Sequence, residues 1–150
     1  MKERVANASK LQGFKKSRLP TLSVTEIKTI KGTADFLGVN HYSTALAIYE
    51  AVPDKVPISF WYDLYVRTET DPKWPSSAAN WVKDVPWGFR KLLNWIKNEY
   101  NNPVVFVTEN GFPDLGQLND SGRIHYLQGY LNALLKSILL DGCNVQGYSV

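Results

Sequence analysis

The sequence predicts an α/β fold built on a parallel sheet, and three observations carry that expectation. Short apolar runs at 36–40, 104–109 and 145–150 alternate with amphipathic stretches at 86–100 and 121–140, an order that implies right-handed crossovers between parallel strands. The middle run, Val104-Val105-Phe106-Val107, is β-branched or aromatic throughout, as suits a strand covered on both faces. Polar residues able to do chemistry follow two successive runs, Asn40 with Tyr42 and Glu109 with Asn110, at the rim where α/β barrels keep their functional side chains. A doubly wound dinucleotide-binding sheet would carry a phosphate-binding glycine pattern, and the sequence has none.

Taken in order, residues 1–20 read as the end of an amphipathic helix followed by a connector, because Pro20 cannot continue a helix. Ser23-Val24-Thr25-Glu26 matches a capping box, so a short helix is expected from Thr25 to Lys31, stopped by Gly32. Phe36-Leu37-Gly38-Val39-Asn40 is the first strand. Residues 43–85 form a long connection rich in proline and aromatics, with a local strand at 60–66; loops of that length in compact domains usually carry function or move. Pro86 suits the first turn of a helix whose apolar face is Phe89, Leu92, Leu93, Ile96 and Tyr100. Asn101-Asn102-Pro103 ends it. A second helix runs from Asp120 or Ser121 to Leu140 with Ile124, Leu127, Leu131, Leu134, Leu135 and Ile138 on one face, and Asp141-Gly142 closes it. Val145 begins the last strand.

The 150 residues carry a net charge of +3, with the positive excess gathered in the first eighteen. No nucleic-acid recognition motif accompanies that excess, so it reads as a solvated surface and nucleic acid is not an expected partner. The single cysteine, Cys143, rules out a disulfide within the chain and a multi-cysteine metal site, and reads as a small buried apolar residue. No apolar run is long enough for a membrane span, and no spacing of His, Asp and Glu suggests a metal. Asn7-Ala8-Ser9 and Asn119-Asp120-Ser121 fit the N-glycosylation pattern, which matters in a secreted protein. The compartment stays open: extracellular or lumenal if a signal peptide belongs to the full-length protein, cytoplasmic otherwise.

Thr108-Glu109-Asn110-Gly111 is by itself a carboxylate entering an Asn-Gly turn. Together with Ser17-Arg18-Leu19-Pro20, the run from Lys31 to Tyr42, Pro86-Trp87-Gly88-Phe89-Arg90 and Asn119-Asp120-Ser121-Gly122-Arg123-Ile124, it resembles family 1 glycoside hydrolases over nearly the whole chain. The likeness is to the β-glucosidase and lactase-like group, with an insect, myrosinase-like flavour.

That resemblance implies a partial TIM (β/α)8 barrel, approximately its sixth to eighth βα units, and one incomplete domain over residues 1–150. It implies a retaining glycosidase, which uses two carboxylates about 5.5 Å apart, one as nucleophile and one as acid and then base. Glu109 matches the nucleophile. Tyr42 matches a tyrosine that contacts and orients that carboxylate, and Asn40 matches an asparagine of the same rim that touches sugar or supports groups that do. Trp81 matches a position that can wall the aglycone site, where an aromatic face stacks on the apolar face of a sugar; it could equally anchor its loop to the following helix. Trp61 and Trp74 read as structural. So do His41, which alternation points away from Asn40 and Tyr42, and His125, which sits beside an apolar stripe. No cofactor is implied, and the partner is a β-glycoside small molecule or oligosaccharide.

The chain also departs from the family pattern. The family's general acid lies in an Asn-Glu-Pro segment, and no Asn-Glu-Pro occurs in the sequence. The upstream glutamine, histidine and arginine of the sugar site are missing too, as is the tryptophan- and glutamate-bearing segment expected beyond Val150. The 150 residues alone are therefore expected to be inactive. Three strands cut from a closed barrel are also expected to fold poorly or to associate through open edges. Two alternatives stand beside the β-glucosidase reading: a klotho-like, non-catalytic member that binds glycan or protein, and a β-thioglucosidase.

Overall fold

The computed structural model describes residues 2–51 and 57–150. The part of the 43–85 connection at 52–56 lies outside the described residues. The chain divides into two compact units, residues 1–33 with 45–69, and residues 34–44 with 70–150.

The second unit carries the parallel sheet. Strands β1 (Leu37–Asn40), β4 (Val105–Glu109) and β5 (Val145–Tyr148) lie in the order β1-β4-β5, parallel throughout, with β4 central. Helices α4 (Pro86–Glu99) and α5 (Ser121–Leu139) make the connections to β4 and β5. Pro86 sits in the first turn of α4, and no side chain caps that end; a proline there removes one backbone donor that would otherwise lack a partner. The alternation, the parallel sheet and both long helices stand where the sequence places them.

The sheet corrects one expectation. β4 is not covered on both faces: Val105 and Val107 are buried, whereas Phe106 is 37% exposed. The exposed face carries a register row running Gly38, Phe106, Gly147, and a Cβ added to Gly147 would collide with the Phe106 ring. One large side chain between two glycines is the pattern of a barrel interior, where alternate strands fill a given layer. Phe106 is open because three strands do not enclose that interior.

The buried side of the sheet packs on Phe89, Leu93 and Ile96 of α4 and on Tyr126, Tyr130 and Leu134 of α5, with Val39 and Cys143 in the same core. Tyr100 belongs outside the α4 face, being 58% exposed. The inward face of α5 is also rotated from the expected one. Tyr126, Tyr130, Ala133, Leu134 and Ser137 are buried, while Ile124, Leu131 and Leu135 are exposed. The tyrosines win the inward positions because their rings stack at 4.1 Å and the Tyr126 hydroxyl reaches buried polar partners. Gly129 brings Pro86 close enough that a Cβ there would stand 3.2 Å from the ring.

Asp141, just past α5, clamps the two helices. Arg90 Nε and Nη2 donate to its two oxygens at 2.7 Å each, Asn94 Nδ2 donates at 2.7 Å, and Lys97 Nζ donates to its backbone carbonyl. These donors, led by Arg90, hold the carboxyl at about 2, below the ordinary carboxylate range. A depressed pKa makes the clamp's contribution complete above the ordinary value of about 4 and lost as pH falls towards about 2. Asp141→Asn is therefore expected to flatten the acid limb of stability against pH in that window, measured by denaturant unfolding at stepped pH; an unchanged limb would remove Asp141 from the account.

The first unit contains α1 (Lys2–Leu11), α2 (Val24–Ile30), α3 (Phe60–Leu64) and the antiparallel pair β2 (Leu46–Tyr49) and β3 (Val66–Glu69). The capping box of α2 is present on both sides, Ser23 Oγ accepting from the Glu26 amide and the Glu26 carboxylate from the Ser23 amide. Arg18 pairs with Asp63 at 2.5 Å, and Arg4 donates to the Leu64 carbonyl at 2.9 Å. The strand expected at 60–66 is instead α3. Ser59 caps it by accepting from the Trp61 amide, and Tyr65 ends it in the left-handed region at φ 53°, so the strand starts only at Val66.

Candidate active site

β1 and β4 lie side by side in register until Val39 and Val107, where β4 takes one extra residue and Asn40 comes level with Glu109. Such a bulge re-aims the side chains at a strand end. Asn40 accepts from Thr108 Oγ1 at 2.5 Å, and the His41 amide donates to the Glu109 carbonyl at 3.0 Å. The two strands thus deliver Asn40 and Glu109 to one rim.

Tyr42 closes the pair. Its hydroxyl donates to Glu109 Oε2 at 2.6 Å, and that hydrogen bond to a carboxylate raises the phenol above its ordinary value, with burial and the Glu109 charge adding to it. The phenol therefore keeps its proton and remains a donor. Trp81 stands edge-on to Tyr42 with centroids 5.9 Å apart and an interplanar angle of 73°, and its side chain is 64% exposed. Asn40, Tyr42, Trp81 and Glu109 form one neighbourhood. Its neighbours Val82 and Val85 are buried.

His41 points the other way, against Phe89 at 5.0 Å and Tyr130 at 5.8 Å. Burial pushes its imidazole down to about 4, so it is a neutral packing group. His125 is an exposed side chain whose Nε2 lies 3.6 Å from Asp84 Oδ2. Trp74 packs edge-on against Trp87 at 6.0 Å, while Trp61 is 71% exposed. Among the described residues no cluster of His, Cys, Asp and Glu could hold a metal ion, and no helix is long and apolar enough to cross a membrane.

Beneath the rim lies a set of hydrogen bonds that the sequence does not announce. Asn110 is 2% exposed. Its Nδ2 donates to the His41 carbonyl at 2.6 Å and to the Tyr126 hydroxyl at 2.8 Å, and its Oδ1 accepts from Tyr148 at 2.6 Å. Tyr126 in turn donates to the Tyr42 carbonyl at 2.8 Å. The only sequence signal is a pair of tyrosines, four apart, on a helix otherwise patterned with leucine: a buried phenol needs a partner.

A carboxylate held by a phenol at an exposed rim, flanked by an amide and an aromatic wall, can attack an electrophilic carbon next to a polyhydroxylated ligand. The glycosyl hydrolase family 1 profile matches residues 2–150. The chain is 45% identical over 152 residues to rat (Rattus norvegicus) lactase/phlorizin hydrolase, covering all of this chain and 8% of that protein. Aphid myrosinase superposes with a TM-score of 0.84 at 44% identity, over 99% of this chain and 32% of the other. A rice β-glucosidase mutant, solved in a covalent complex with glucose, superposes with a TM-score of 0.76 at 32% identity, over 95% of this chain and 32% of its own. The chain thus spans less than a third of the length of these relatives, and its fold is part of the α/β barrel they share. The family match over residues 2–150, together with these relatives, establishes that the chain belongs to glycosyl hydrolase family 1.

Proposed function

We propose that this chain is the carboxyl-terminal part of a single β-glucosidase-type domain, approximately the sixth to eighth βα units of its barrel, and that Glu109 is the nucleophile of a retaining double displacement. The observation that carries the reading is the 2.6 Å hydrogen bond from Tyr42 to Glu109 at the end of β4. A phenol that keeps its proton holds the carboxylate in one orientation at the rim.

In the first step a Glu109 oxygen bonds to the anomeric carbon while the bond to the aglycone oxygen breaks, and that oxygen takes a proton from an acidic carboxyl group outside this chain. In the second step the same group draws a proton from water, the water oxygen bonds to the anomeric carbon, and Glu109 leaves as a carboxylate. Asn40 commits its oxygen to Thr108, which leaves its two amide hydrogens for a sugar hydroxyl. Trp81, exposed beside Tyr42, supplies the apolar wall for the aglycone. The covalent glucose complex of the rice relative supports both the double displacement and glucose as the sugar.

The test is trapping. The complete protein incubated with a 2-fluoro-β-glucoside carrying a good leaving group is expected to gain one fluoroglucosyl mass on the peptide containing Glu109. Absence of an adduct, with hydrolysis of the same aglycone's ordinary glucoside also absent, would favour the klotho-like binding role. The 150 residues alone are proposed to be inactive, since the second carboxylate is not among them.

A further inference from the structure

We infer that Tyr126 and Asn110 are positioning residues that act through Tyr42, holding the peptide around it so that its hydroxyl stays on Glu109. The inference rests on the reading of Glu109 as nucleophile and goes beyond it to a buried chain of bonds beneath the rim. Tyr148 donates to Asn110, Asn110 donates to Tyr126, and Tyr126 donates to the Tyr42 carbonyl. The second hydrogen of the same Asn110 amide goes to the carbonyl of His41, the peptide that supplies the Tyr42 nitrogen.

Asn110 is thus bonded covalently to Glu109 and by hydrogen bond to both sides of Tyr42, once directly and once through Tyr126. Every donor hydrogen of the set is committed. The amide gives two hydrogens and takes one, and the Tyr126 hydroxyl takes one and gives one. Tyr126 and Asn110 are both almost wholly buried, so water cannot replace a missing partner. Among the described residues neither side chain hydrogen-bonds the Glu109 carboxylate; Tyr42 is the link.

Tyr126→Phe in the complete protein removes both bonds of the hydroxyl and keeps the ring that stacks on Tyr130. It is expected to lower kcat about ten- to hundredfold with KM little changed, as small misplacements of reacting groups do. In a Tyr42→Phe background the same change should cost less than about twofold, since the two act through one contact. Multiplied losses in the double variant would overturn the inference. Should Tyr126→Phe not fold, Tyr148→Phe carries the same test from the far end of the chain of bonds.

A readout without turnover separates this inference from the proposed function. Fluorotyrosine incorporated into the complete protein and followed by 19F NMR, with the Tyr42 signal assigned by Tyr42→Phe, reports the Tyr42 titration directly. It should shift to lower pH in Tyr126→Phe, because the bond to Glu109 is what raises it. That shift in a protein with no glycosidase activity would sink the enzyme reading and keep this one; an unshifted titration in an active enzyme would do the reverse.

Discussion

Glu109→Gln in the complete protein is expected to lower kcat by roughly four orders of magnitude or more, the scale on which removal of a nucleophile acts. The substitution is nearly isosteric, and the amide oxygen can still accept from Tyr42, so the fold and the rim hydrogen bond should survive. What goes is the anionic oxygen that forms the bond to the anomeric carbon. Two measurements make the result specific. Steady-state hydrolysis of an aryl β-glucoside gives the loss, and a thermal midpoint within a few degrees of the parent shows that unfolding is not its cause. Retention of ordinary rates would overturn the assignment of Glu109.

Phe89→Ala is expected to destabilise the protein by about 3–5 kcal/mol, the range for removing a fully buried aromatic side chain. Phe89 has no exposure and meets both the His41 ring at 5.0 Å and the Tyr130 ring at 5.6 Å. A cavity there would sit directly behind the residue that precedes Tyr42, so loss of stability and loss of activity should appear together. Chemical denaturation of the complete protein reads the first, and Phe89→Leu should recover most of it. A change below about 1 kcal/mol would mean that the surrounding rings collapse into the space, contrary to the packing seen.

The parts legible in the sequence are those whose signal is local. The capping box at Ser23 and Glu26, Pro86 at the start of α4, and the apolar run ending at Glu109 each specify their element through neighbours in the chain. The parts missed need distant partners. β2 reads Leu-Ala-Ile-Tyr and becomes a strand by pairing with β3 some twenty residues later. Phe60-Trp61-Tyr62 looks like strand material, and the Ser59 cap makes it helical. In α5 the leucines have the right period, yet the tyrosines take the inside because their hydroxyls find partners just past β4 and just past β1. Glu109, Tyr42, Asn40 and Trp81 could be named from the family likeness. The bonds among them, and the Asn110 set beneath, depend on a strand register that no single segment encodes.

The wide spacing of those bonds along the chain sets when the site can exist during folding. Tyr42 reaches across 67 residues to Glu109, Asn110 across 69 to the His41 carbonyl, and Tyr126 across 84 to the Tyr42 carbonyl. Each contact closes a long loop whose entropy cost falls due before the contact is made. On the ribosome, β1 therefore emerges well before β4, and the tyrosine can reach its carboxylate only once β4 has been synthesised and paired with β1. The carboxylate rim is a late product of folding, so any defect that slows the β1–β4 pairing should show in the yield of competent protein before it shows in the rate of each competent molecule.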